Sequence, residues 1–227
     1  MTKTEPPVVW QRVPQGWIEL VAFADDELAQ KWWRTYLSPA GVPPEVSADG
    51  VVDAATIATL TRGFDAAREA LRDSPYAVAG IFPYLVDDPT VFFIGTTVLP
   101  APADERAART AASLSGLVRF GDEARSEPFV ALDGRIGSAT LGRATTDDGT
   151  SFAAITGEVP LPSTSAGGGT VFVLALSLDP ERLDELAPYA ALALDSTCLL
   201  APDQAPPAYP PHGRVTAWDR AAPADGG

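Results

Sequence analysis

The period of the apolar positions changes several times along the chain, and each change marks an element. From Tyr76 to Pro100 two runs, Val78–Val86 and Thr90–Val98, are rich in β-branched and aromatic residues and nearly free of charge, with Asp87-Asp88-Pro89 between them. That is strand, turn, strand. Val91-Phe92-Phe93-Ile94 does not alternate at all, which predicts a central strand covered on both faces. A second β-rich block follows later in the chain. Glu127–Leu132, Arg135–Thr145, Thr150–Leu161 and Thr170–Leu178 read as a four-strand antiparallel meander. Its turns are Asp133-Gly134, a two-residue hairpin signal, Thr146–Gly149, and the loop Ser163–Gly169. Gly137 and Gly142 inside the second strand mark twist, a bulge or a close backbone approach.

Helical periods lie on either side. After a short strand at Val8–Val13 and a first sheet strand at Gly16–Phe23, Asp25-Asp26-Glu27 opens a helix. Leu28, Trp32 and Tyr36 recur every four residues, with Trp33 and Leu37 beside them, so the tryptophan pair reads as core packing, not a stacking platform. Asp53 caps a second helix over 54–73, with Ile57, Leu60, Phe64, Ala67 and Leu71 on one face. Asp104 starts a small-residue helix over 104–118. Asp179-Pro180-Glu181 is a helix start with proline at its first position, and Leu183, Leu186, Ala190 and Leu194 form the apolar face. Pro188 should kink it. Residues 1–7 read as a flexible lead-in and 8–201 as one domain. Residues 202–227, with six prolines in 26 positions, read as a disordered tail or an extended strap.

The order strand, helix, helix, hairpin, helix, meander, helix defines an α+β fold: an antiparallel sheet of about six to seven strands with helices packed outside. The Pro14-Gln15-Gly16-Trp17 strand start, the meander and the closing Asp179-Pro180 helix together resemble the PsbP-like α/β/α sandwich over roughly residues 8–200 in element order. The helix pair before the hairpin and the helix at 104–118 depart from a minimal version of it. The resemblance implies a non-catalytic binding or assembly role.

Composition narrows the chemistry. The chain has 227 residues, 46% of them apolar, and a net charge of −14. So acidic a surface repels nucleic acid and anionic lipid, and neither is expected as a partner. No apolar stretch reaches the length of a membrane span, no secretory leader is legible in the first residues, and the expected location is the cytoplasm. His212 is the one histidine and Cys198 the one cysteine, so a Ser/His/Asp triad, a Cys/His dyad or a His-based metal site would have to use this one tail histidine. Cys198, in the apolar setting Thr197-Cys198-Leu199, is expected to be an inert buried thiol. The paired acids Asp87-Asp88 and Asp147-Asp148 fit turns, and Gly167-Gly168-Gly169 lacks the Lys-Ser/Thr of a phosphate loop. No catalytic residue, metal site or cofactor is expected.

Arginine remains, with Arg119, Arg125, Arg135 and Arg143 grouped around the meander. Arg135 and Arg143 are eight apart, so a shared strand would put them on one face. They are candidate contacts for an anionic ligand or acidic peptide, against the plainer reading of pairing with Glu127, Glu158 or other nearby acids. Tyr209 and Trp218, embedded in proline-rich sequence, are candidate anchors for a protein partner. The functional reading is a non-enzymatic protein-interaction module: an accessory, adaptor or chaperone-like factor of a bacterial assembly or secretion system. The alternative is a small-molecule-binding protein or a carboxylate-based hydrolase.

Overall fold

The computed structural model describes residues 8–14, 17–20, 26–36, 54–71, 76–84, 90–100, 118–146, 149–164, 167–201 and 204–205. The elements are β1 (Val8–Trp10), β2 (Ile18–Glu19), α1 (Asp26–Tyr36), α2 (Ala54–Leu71), β3 (Val78–Tyr84), β4 (Thr90–Pro100), β5 (Arg119–Phe120), β6 (Arg125–Val130), β7 (Ile136–Thr145), β8 (Ser151–Thr164), β9 (Gly167–Ser177), α3 (Leu183–Ser196) and β10 (Cys198–Leu200). The fold is α+β, with helices packed on an antiparallel sheet. The expected helix over 104–118, the Asp87-Asp88-Pro89 turn and the segment carrying Tyr209, His212 and Trp218 lie outside the described residues, apart from Val118.

The main sheet has eight strands in the order β2-β3-β4-β9-β8-β7, with β5 and β6 both pairing β7. The meander runs β6 to β9 as its alternation demands, and the β3–β4 hairpin joins it through β4 against β9. β4 therefore lies between two partners, and its side chains are divided between two cores. Phe92 and Ile94 join Val173, Ala175, Ile155 and Leu141 beneath Leu186, Ala190 and Leu194 of α3. Val91 and Phe93 face the other way, to Trp33 of α1 and Leu60, Phe64 and Ala67 of α2. The continuous apolar run has the physical cause read from it: both faces are covered.

Several local signals resolve differently from the sequence reading. Trp33 is the buried residue among the described side chains of α1, stacked on Phe64 at 4.4 Å and donating its indole N–H to Thr61 Oγ1 at 3.1 Å, whereas Leu28 is 50% exposed. The inward stripe of α1 thus passes through Trp33 and not through Leu28. The β6–β7 connection is a three-residue loop: Ala131 and Arg135 close it through Ala131 N–H to Arg135 O at 2.9 Å, and Gly134 takes a φ of 86°. A type I turn followed by a left-handed glycine gives this geometry. Gly149, with a φ of 85°, plays the same part before β8.

The Asp179-Pro180-Glu181 signal makes a turn before the helix. Asp179 Oδ1 accepts the Glu181 N–H at 3.0 Å, and α3 begins four residues on, at Leu183. Of the expected first sheet strand only Ile18–Glu19 pairs with β3 among the described residues. Val8–Trp10 belongs to a separate two-stranded sheet with β10. That small sheet ties the start of the domain to the end of α3, helped by Arg12 N–H to Ser196 Oγ at 2.9 Å.

β5 and β6 form one interrupted edge. Phe120 pairs Ala144 and Arg125 pairs Leu141, so four residues on the edge oppose two on β7. This is a bulge, and Gly142 sits under it: a Cβ there would lie 2.8 Å from Ala124 Cα. Pro128 in β6 needs no ladder partner on an edge strand.

Candidate functional site

The tip of the β6–β7 hairpin is the most distinctive surface among the described residues. Phe129 and Ala131 point inward and are buried, while Val130, Leu132 and Ile136 are 42%, 38% and 67% exposed. Val130 and Ile136 are directly paired across the strands, so the two β-branched side chains share a face. Isolated exposed apolar residues are ordinary on a protein surface; three on one short turn form a patch.

The turn is held rigidly to the end of α3. Leu132 N–H donates to Asp195 Oδ1 at 2.5 Å, and Arg135 Nη2 donates to the carbonyl of the same Asp195 at 2.8 Å. Arg135 also donates through Nη1 to Pro160 O at 3.4 Å and pairs through Nε with Asp133 Oδ2 at 2.7 Å. A guanidinium at a helix C-terminus satisfies an orphan carbonyl and suits the dipole. Arg143 bonds Glu181, just ahead of α3. Arg143 is on β7, whereas Arg135 stands one residue before it, in the hairpin loop, so the two do not share a strand; each holds one end of the same helix. Their acid partners are Asp133, one of the other nearby acids, for Arg135 and Glu181 for Arg143, in place of Glu127 or Glu158. Arg119 and Arg125 sit on β5 and at the start of β6, both exposed.

A second feature is a recess between α2 and the sheet. Ala66 and Ala67 form part of its helix wall and Phe93, Phe152 and Leu176 its floor, enclosing about 220 Å³. None of its lining side chains is ionisable. The acid pair that a carboxylate-based hydrolase needs is therefore not in this recess.

The remaining reactive groups are dispersed. Cys198 lies half-buried on β10, and burial pushes its thiol pKa up, partly offset by the positive charge of Arg135. Tyr76 packs edge-on to Phe93 at 6.1 Å, and burial raises its phenol pKa well above the ordinary value. Among the described residues no three of His, Cys, Asp and Glu are grouped so as to hold a metal ion, and no helix is long and apolar enough to cross a membrane. The sequence reading passed over the hairpin tip. The signal was in Phe129-Val130-Ala131-Leu132, where apolar residues occupy both parities of a strand next to a turn.

No family model matches the sequence, and no curated protein matches it either. Among solved structures, the chain is similar to LpqN, a protein involved in cell envelope biogenesis of Mycobacterium tuberculosis. The TM-score is 0.39 and the identity 13%, over 88% of this chain and 87% of that one. A likeness at that level transfers no activity to this chain.

Proposed function

We propose that this protein is a non-catalytic protein-interaction module, an accessory or adaptor factor of a bacterial assembly or secretion system. The observation that carries the reading is the apolar hairpin tip, Val130, Leu132 and Ile136, on a turn fixed by Arg135 and Asp195. Leaving three large apolar side chains in water is unfavourable, and a turn already ordered loses little freedom when a partner covers it. Tyr209 and Trp218 belong to the same proposal as aromatic anchors in proline-rich sequence.

The test is affinity capture from native lysate on the immobilised full chain, with captured proteins identified by mass spectrometry. Ile136→Asp places a carboxylate in the patch and should weaken retention of the specific partner by at least about tenfold. The melting temperature should hold, because Ile136 is mostly exposed. Arg62→Glu, on the exposed face of α2, should leave capture intact. A chain lacking residues 202–227 reports on Tyr209 and Trp218 separately. Unchanged capture by Ile136→Asp would remove the hairpin tip from the proposal, and unchanged capture by the shortened chain would remove the two aromatics.

A further inference from the structure

We propose that the recess between α2 and the β4–β9–β8 part of the sheet is a binding site for an uncharged hydrocarbon group, either a single substituted ring or an alkyl chain of about eight carbons. The inference uses none of the residues of the hairpin tip and stands apart from that reading.

Size is the first argument. Protein interiors are close-packed, and an apolar cavity of about 150 Å³ already takes up benzene. This one, open to solvent on one side, offers about 220 Å³. The second argument is why the space persists. Gly63 lies so close to β4 that a Cβ there would come within 2.7 Å of Val91 Cβ. α2 is thus already at contact distance and cannot move inward, while the short side chains of Ala66 and Ala67, one turn further on, leave the gap beside it unfilled. The void is set by where backbone meets side chain, so it does not close by relaxation.

Lining chemistry sets the ligand class. The one polar side chain, Thr146, is spent on its own turn: its hydroxyl donates to Thr150 O at 3.3 Å and accepts the Thr150 N–H at 3.2 Å. A charged or strongly polar group inside would lose its water with nothing in return. Leu178, 51% exposed, lies at the mouth and gives the entrance an apolar rim. With the chain at −14, a carboxylate head outside the mouth is disfavoured relative to a neutral one.

The test titrates the full chain with N-phenyl-1-naphthylamine, whose fluorescence rises in an apolar site, and competes it with 1-octanol, benzyl alcohol and octanoate. Saturable one-to-one uptake displaced by a neutral alcohol is expected, with octanoate at least about tenfold weaker. Competition by 1-octanol alone assigns a chain, and competition by benzyl alcohol as well assigns a ring. Ala66→Phe, at an exposed helix position, should block uptake without lowering the melting temperature, and Leu178→Asp should weaken it. Ile136→Asp should bind the probe as the parent does, which separates this site from the hairpin tip. No saturable uptake by the parent chain, as when a segment of the chain itself occupies the recess, or equal uptake by Ala66→Phe, overturns the proposal.

Discussion

Arg135 sets three guanidinium nitrogens on oxygen acceptors from a side chain that is only 12% exposed, whereas the Arg143–Glu181 pair is 52% and 75% exposed. Removing Arg135 strips partners from the Asp195 and Pro160 carbonyls in a partly buried place. Arg135→Ala should therefore cost about 2–3 kcal/mol in urea denaturation. Arg135→Lys should recover little of that, since an ammonium cannot span the fork of acceptors. Arg143→Ala should cost less than about 1 kcal/mol, because exposed pairs are screened and entropically loose. Similar losses at both positions would show that burial does not separate them. The spacing of eight anticipated a shared strand, but β7 begins at Ile136 and Arg135 stands one residue outside it. Asp133, two residues from Arg135, is a nearby acid of the kind expected, whereas Asp195 and Glu181 were not legible, because they come beside the strand only when α3 lies across the sheet.

At the scale of elements, β4 and β6 make a useful contrast. Both carry apolar residues at both parities, yet β4 has a strand on each side and helices on both faces, whereas the last residues of β6 are at an edge. The same composition is core in one and exposed patch in the other. Phe92 is fully buried against Phe82 and Tyr189, with ring centroids 5.4 and 6.0 Å away. Phe92→Ala should cost about 3–5 kcal/mol, read by chemical denaturation. A loss below about 1 kcal/mol would contradict its central place. Element type was read well where the apolar period ran long, as in α2 and β7 to β9. Element ends were read less well. Asp179 has the composition of a helix cap, but its carboxylate is used by the Glu181 N–H in a preceding turn and by Arg182 at 3.4 Å.

For the molecule as a whole, alkaline pH is the informative axis. The Tyr76 hydroxyl is buried with no hydrogen-bond partner among the described residues, and Cys198 is half-buried; burial raises both pKa values above their ordinary 10.0 and 9.0. A pKa higher in the folded state means that the folded chain holds the proton longer. The associated stability is complete below the unfolded value and is lost as pH rises above it. Stability should therefore fall from about pH 9 for Cys198 and from about pH 10 for Tyr76, each ionisation adding to a charge of −14. Tyr76→Phe should flatten the limb above pH 10, and Cys198→Ala the part just above pH 9; a Tyr76→Phe melting curve that tracks the parent would refute the assignment. By itself the sequence determined α2, the helix after Asp179, the meander, and the covered faces of β4, since periodicity and turn residues are properties of neighbours along the chain. Tertiary structure alone decided the β1–β10 sheet, the two-ended hold on α3 and the apolar recess. Each depends on which distant segments meet and on the volume left between them, and no local pattern encodes that.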